Sequence, residues 1–270
     1  MQEPIRTAIE ACKAKVLYHS DFVQQPAELD ELKALFLQEG QTRSQQAFLA
    51  FVEALVRAPL DMSTLDNRVL ARLGDSGVRS VLDFGDEGIE MLADVLRLPE
   101  LVPVPKSVKG SGSSNTWSVN CGEDIPFMRA ALWILSASGS LKAHSAIVRC
   151  LKSQDQGTRV NAARALAAMG KAWSVSPLLA QLNTFLRNAQ AGRTKTSSGD
   201  YKELRTIVEA LTKILQSAGR DVDGSVLAEI TRLPEVFQGY VSEDPYWEYE
   251  LTFKDLIGLA NQTASDLRAG

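Results

Sequence analysis

Lys142, Ser145, Arg149 and Lys152 stand at i, i+3, i+7 and i+10, a spacing that gathers all four on one stripe of a helix. Three of them are cations, so the chemistry within reach is the binding of anions, carboxylate or phosphate, rather than the making of a bond. One unit later in the chain the same stripe reads Trp173, Ser176, Ala180 and Asn183, continued by Arg187. One unit further it reads Val222, Ser225, Glu229 and Arg232. A stripe that varies while its neighbours repeat suits a surface fitted to a ligand. A solvated face varies as freely, and Lys and Arg are ordinary there. Arg193 and Lys195, in the polar basic stretch NAQAGRTKTSSGD, join the candidates. So do Tyr246 and Trp247 in the acidic stretch SEDPYWEYE, because aromatics dominate the hot spots of interfaces.

The motifs that would carry other chemistry fail on spacing or setting. GSGSSN (110–115) lacks the third glycine of a dinucleotide loop and follows no apolar strand, so the context that motif needs is missing. AGRTKTSSG is not closed by Gly-Lys-Ser/Thr, and no His-Glu-x-x-His occurs. Asn261-Gln262-Thr263 fits a glycosylation acceptor, but no secretory leader accompanies it. His144 has no carboxylate at a helical spacing, and Cys150, six positions on, falls on another face; His144 reads as a helix-surface residue. No catalytic, cofactor-binding or metal-ligating residue is nominated.

The totals agree with a folded binding protein. The 270 residues are 45% hydrophobic and 23% charged, an ordinary balance for a globular chain. No apolar run is long enough to span a bilayer. Cys12, Cys121 and Cys150 are odd in number and far apart, against a disulfide framework or a zinc site, so reduced thiols in a cytoplasm are the expectation. Net charge is −4, but residues 125–199 hold 10 Lys and Arg against a single acid. The segments on either side are acidic. Such asymmetry bears on partners and not on fold.

What positions the stripe is a repeat. Shifted by 31 residues, 124–153 falls on 155–184: Asp124 meets Asp155, Ala131 meets Ala162, Leu135 meets Leu166, Gly139 meets Gly170 and Leu151 meets Leu182. A shift of 49 carries the frame onto 201–233, with Leu215, Gly219 and Leu227 in the places of Leu166, Gly170 and Leu178. Each unit is a helix, a Gly-containing turn and a second helix. Val160, Ala163, Leu166 and Ala167 recur at helical spacing, and Gly170 ends the first helix in a conformation cheap only without a Cβ. Pro177 falls in the first turn of the second helix, where its missing N–H does least harm. A single pair cannot bury its apolar face, so stacking is required.

Asp155, Arg159, Val160, Ala162, Ala163, Leu166, Gly170, Leu178, Leu179 and Leu182 resemble the HEAT-like repeats of many bacterial proteins, the phycobilisome bilin lyases among them. A partial earlier copy is GVRSVLDFGDEGIEMLADVL (77–96), with Gly85, Ile89, Leu92 and Leu96 in comparable places. The resemblance implies an all-α fold: a right-handed α-solenoid of stacked antiparallel helix pairs, of HEAT-like or armadillo type, whose second helices line a concave face. It implies little about activity; a lyase role on a bilin would rest on the resemblance alone. It also implies that Arg159 and Arg164 sit between repeats and contribute less to a surface patch.

The organisation expected is an N-terminal helical region of divergent repeats or cap (1–99), a Pro/Gly/Ser-rich loop (100–124), three repeats with a polar loop at 188–200 (125–233) and a C-terminal cap (234–270). Helices are expected over 27–40, 42–59 and the last twenty residues, the last with Leu251, Ile257 and Leu267 as its apolar positions and weakened by Gly258. The function expected is a cytoplasmic, non-catalytic scaffold or adaptor that binds a partner protein or acidic peptide, with neither membrane nor metal. Nucleic acid held on the basic stripe, as in the HEAT-like alkylpurine DNA glycosylases, is the alternative.

Overall fold

The structure, a computed structural model, describes residues 27–57, 77–96, 126–153, 156–190, 198–233 and 249–269. Among these residues the secondary structure is helical throughout, with no strand. The chain divides into two compact units, Met1–Ala146 and Ile147–Gly270.

In the first unit, α1 (Ala27–Glu39) and α2 (Arg43–Arg57) meet at a turn in which Gly40 has φ +74°. The start of α2 is fixed by a reciprocal cap: the Gln45 N–H donates to Thr42 Oγ1 at 3.3 Å and the Thr42 N–H to Gln45 Oε1 at 2.8 Å. Two donors that a helix start leaves orphaned are thereby satisfied. Leu29, Leu32 and Phe36 line the buried face of α1 and Phe48, Phe51, Val52 and Leu55 that of α2. Phe36 and Phe48 pack edge to face with centroids 6.3 Å apart, the geometry ring quadrupoles favour. Helix α3 (77–82) turns through Gly85 into α4 (Asp86–Leu96), which packs on α2 and on α5 (Pro126–Ser138). Ile89, Leu92 and Leu96, the frame residues of the partial copy, are all buried.

The boundary between the units runs through α6 (Leu141–Cys150). The second unit continues with α7 (Gln156–Met169), a 3-10 turn at Ala172–Ser174, α8 (Val175–Gln190) and α9 (Ser198–Ala218). It ends with a second 3-10 turn at Gly219–Asp221, α10 (Gly224–Thr231) and α11 (Tyr249–Ala269). Helix α9 packs on α7, α8 and α11, while α10 packs on α11 and touches α8. The frame holds: Ala162, Leu166, Leu178, Leu182, Leu215 and Leu227 are all buried. Gly170 ends α7 with φ +62°, as expected of a residue for which that region carries no Cβ penalty.

The glycine one unit on does different work. Gly219 is not in the left-handed region; a Cβ there would lie 3.2 Å from Thr263 Oγ1 and Cγ2 of α11. It is small because a neighbouring helix passes close by. In the last helix the buried side chains among those described are Leu256, Ala260 and Thr263; of the expected apolar positions Ile257 is half-buried, Leu267 is 44% exposed and the Leu251 side chain lies outside the described residues. Small residues serve where helices approach so nearly, and α11 runs unbroken through Gly258. Lys152, placed by its spacing on the stripe of one helix, lies beyond the end of α6, which stops at Cys150 and gives way to a turn at 151–152. No helix among the described residues is long and apolar enough to cross a membrane.

Candidate functional site

The second unit carries an open groove of about 670 Å³, a size within the roughly 300–1,000 Å³ of small-ligand sites. Its apolar wall comes from Val148 of α6, from Leu151 in the turn that follows it and from Pro177, Ala180 and Phe185 of α8. Its polar lining along α8 is Gln181, Thr184 and Asn188, with Lys152 and Ser153 opposite in the chain's turn after α6. Val148 is the half-buried counterpart of Leu179, which is fully buried. A frame position that is sealed in one repeat thus stands open to the groove in the one before.

Arg159 of α7 and Glu203 of α9 also line it. Arg159 Nε donates to Glu203 Oε1 and Nη2 to Oε2, both at 2.7 Å, a bidentate pair. Arg159 Nη1 donates to the Ser153 carbonyl at 2.8 Å, and Gln181 Nε2 to Glu203 Oε1 at 3.2 Å. The Glu203 side chain is 1% exposed and that of Arg159 20%. A carboxylate so deeply placed is tolerable because both oxygens are engaged by charge-assisted bonds. The pair ties α7 to α9. Arg164 is exposed.

Of the residues nominated from the stripe, Lys152 alone lines this groove. Lys142 belongs to the first unit, where its Nζ meets Glu90 Oε1 at 2.6 Å and Asp86 Oδ2 at 3.5 Å of α4. Its pKa is raised, first by the hydrogen bond to Glu90. The Ser145 hydroxyl donates to the Leu141 carbonyl at 3.0 Å, and Arg149 is exposed. Trp173 is 43% exposed, with Lys171 Nζ 6.0 Å from its ring centroid. Asn183 Nδ2 donates to Glu229 Oε1 of α10 at 2.6 Å, and Arg187 Nε to the Asn183 carbonyl at 3.2 Å. Val222, one of the stripe positions, is buried and not on the surface. Arg193, Lys195, Tyr246 and Trp247 lie outside the described residues.

Between residues 147 and 190 the chain holds six cations and one acid, Asp155. Arg159 is ion-paired; Arg149, Lys152, Arg164, Lys171 and Arg187 are exposed, and none makes an ion pair with a described residue. His144 is half-buried rather than on the surface, and burial holds its pKa below the ordinary imidazole value. Burial pushes the Cys150 thiol up to about 11, far from the thiolate that nucleophilic work requires. Among the described residues no group of His, Cys, Asp and Glu side chains is placed to hold a metal ion.

The stripe does not reveal the Arg159–Glu203 pair or the polar run along α8. A signal for Glu203 exists in the sequence: it stands four residues before Ile207 and eight before Leu211, on the apolar face of α9. An acid on such a face needs a partner, and Arg159 is that partner. No family model matches the chain, and neither a curated protein nor a solved structure matches it.

Proposed function

We propose that the second unit is a stack of HEAT-like helix pairs serving as a non-catalytic binding module, a scaffold or adaptor that grips an acidic stretch of a partner protein or peptide. Support for the stack comes from the order of packing, α7 on α9 and α8 beside α10, with α8 also against α9. First helices follow first helices and second follow second, as in an array whose repeats contact their neighbours. The observation that carries the binding role is the set of exposed cations between 147 and 190, left without ion pairs among the described residues, one of which, Lys152, lines an open groove. Unneutralised like charge is unfavourable for the unit itself and favourable for meeting an oppositely charged surface.

The test is affinity capture by the purified chain, compared with an Arg149→Glu/Arg187→Glu variant, with bound proteins identified by mass spectrometry. A specific protein retained by the wild type and lost from the variant is the expected outcome. Identical capture by both forms would refute the role of these cations.

A second reading is that the ligand is nucleic acid, favoured by the 10-to-1 excess of base over acid in residues 125–199. Phosphate contacts would make binding fall steeply with salt. A gel shift with single-stranded and duplex DNA, lost in the same variant and abolished between about 50 and 200 mM salt, would favour it over the protein partner.

A further inference from the structure

We infer that the groove of the second unit takes an extended acidic peptide segment of about five residues, laid along α8 with one apolar side chain inserted against Phe185 and a carboxylate at Lys152. The inference rests on the reading of this unit as a binding module and adds the ligand's conformation, length and place.

Length and shape come first. Pro177 and Asn188, the limits of the α8 wall, are eleven residues apart, or about 16 Å at the helical rise. An extended chain covers that distance in about five residues. A chain in that form presents its backbone N–H and C=O groups along its length, where a helix satisfies its own, and the polar side chains along α8 can receive them.

The lining has the alternation such a segment needs. Gln181, Thr184 and Asn188 recur at i, i+3 and i+7 on one side of α8, with Pro177, Ala180 and Phe185 beside them. Gln181 spends its amide N–H on Glu203 and Thr184 its hydroxyl proton on the Ala180 carbonyl. Gln181 Oε1 and the Thr184 lone pairs remain as acceptors for peptide N–H groups, and the Asn188 amide makes no bond to a described residue and can both donate and accept. An extended backbone cannot bond to itself, so it requires such partners when it leaves water.

Charge selects the sign of the ligand. The Arg159–Glu203 pair is neutral as a unit and both of its oxygens are occupied. The groove's remaining charged side chain is Lys152, exposed and in no ion pair with a described residue, and Arg149 and Arg187 flank lining residues in the chain. A basic or neutral segment gains nothing there, whereas an acidic one gains without displacing an existing pair.

The test uses a panel of capped, fluorescein-labelled peptides of the form Asp-Glu-X-Asp-Glu, with X as Phe, Leu, Trp, Tyr or Val, read by fluorescence anisotropy on the whole chain. At least one member should bind with micromolar affinity, and the matching Lys-Lys-X-Lys-Lys peptide should not. Ala180→Trp, which fills the groove from an exposed position, should weaken binding at least tenfold, as should Lys152→Glu. Arg164→Glu, an exposed cation outside the lining, should change it less than threefold. Circular dichroism of each variant checks that the fold is kept. Absence of binding by every member up to 1 mM overturns the inference, as does binding indifferent to Ala180→Trp. So does displacement of the peptide by a single-stranded oligonucleotide with a tighter affinity. If a cellular partner is lost on Arg149→Glu/Arg187→Glu yet is held unchanged by Ala180→Trp, the binding-module reading stands and the groove assignment falls.

Discussion

Removing Arg159 while leaving Glu203 in place should be among the most damaging single changes the second unit can suffer. With Arg159→Met, the 1%-exposed Glu203 carboxylate retains only the 3.2 Å bond from Gln181. Breaking a buried pair from one side typically costs about 3–5 kcal/mol, a large part of the stability of an ordinary domain. The reverse change, Glu203→Gln, should cost less, about 1–2 kcal/mol, because the Arg159 side chain is 20% exposed and still bonded to the Ser153 carbonyl. Replacing both, as Arg159→Met/Glu203→Leu, should restore the unit to within about 1 kcal/mol of wild type, since a well-packed apolar pair often matches a buried ionic one. In urea, with a slope of about 2 kcal/mol per molar, the Arg159→Met midpoint should fall by about 1.5–2.5 M. Hydrogen exchange read peptide by peptide would assign the loss, with α7 and α9 losing protection while α1 and α2 keep theirs. The reasoning fails if Arg159→Met costs less than about 1 kcal/mol, or if the double variant is no better than the worse single one.

Four further expectations rest on other residues. In a Cys12→Ser/Cys121→Ser background, Cys150 should react with a maleimide at pH 8 at least about 100-fold more slowly in the native chain than in urea, since a thiol at about 11 instead of 9.0 holds that much less thiolate. The lowered pKa of His144 means that the unfolded chain binds its proton more readily, so stability is full above 6.5 and falls as pH drops from there through the folded value. His144→Gln should flatten that part of the urea-midpoint profile, and an unchanged slope would show that other groups produce it. Gly170→Ala should cost about 1–2 kcal/mol through its left-handed backbone. Gly219→Ala should instead respond to its neighbour, with Thr263→Ser in the same chain relieving part of the loss through the departed Cγ2.

The helices were legible in the sequence because their apolar residues recur at 3.6-residue spacing and their ends carry local signals. Thr42 and Gln45 form the cap that begins α2, and Gly85, Gly139 and Gly170 all take positive φ where a first helix ends. Those signals are written in neighbouring residues, and neighbours in sequence are what a repeat frame compares. The groove was not legible because it is made by non-neighbours. Glu203 and Arg159 are 44 positions apart, and although Glu203 falls on the apolar face of α9, nothing local says which distant residue meets it. The last helix misled for a related reason. Leu267 is among its expected apolar positions but is exposed, while Thr263, a polar residue, is buried where Gly219 passes close. The stripe conveyed the sign of the charge but not its use: Lys142 is spent on Glu90 and Asp86, whereas Lys152 is left beside the groove.

Helix α7 buries four alanines, Ala162, Ala163, Ala165 and Ala167, and packs on α9, while its Arg159 and the Glu203 of α9 form the groove floor. Short buried side chains let a neighbouring helix come close, and it is that closeness of α7 and α9 that brings a guanidinium and a carboxylate from distant parts of the chain into one seat. A lineage that enlarged residues remote from the recess could still reshape it, by moving the seat and not the lining.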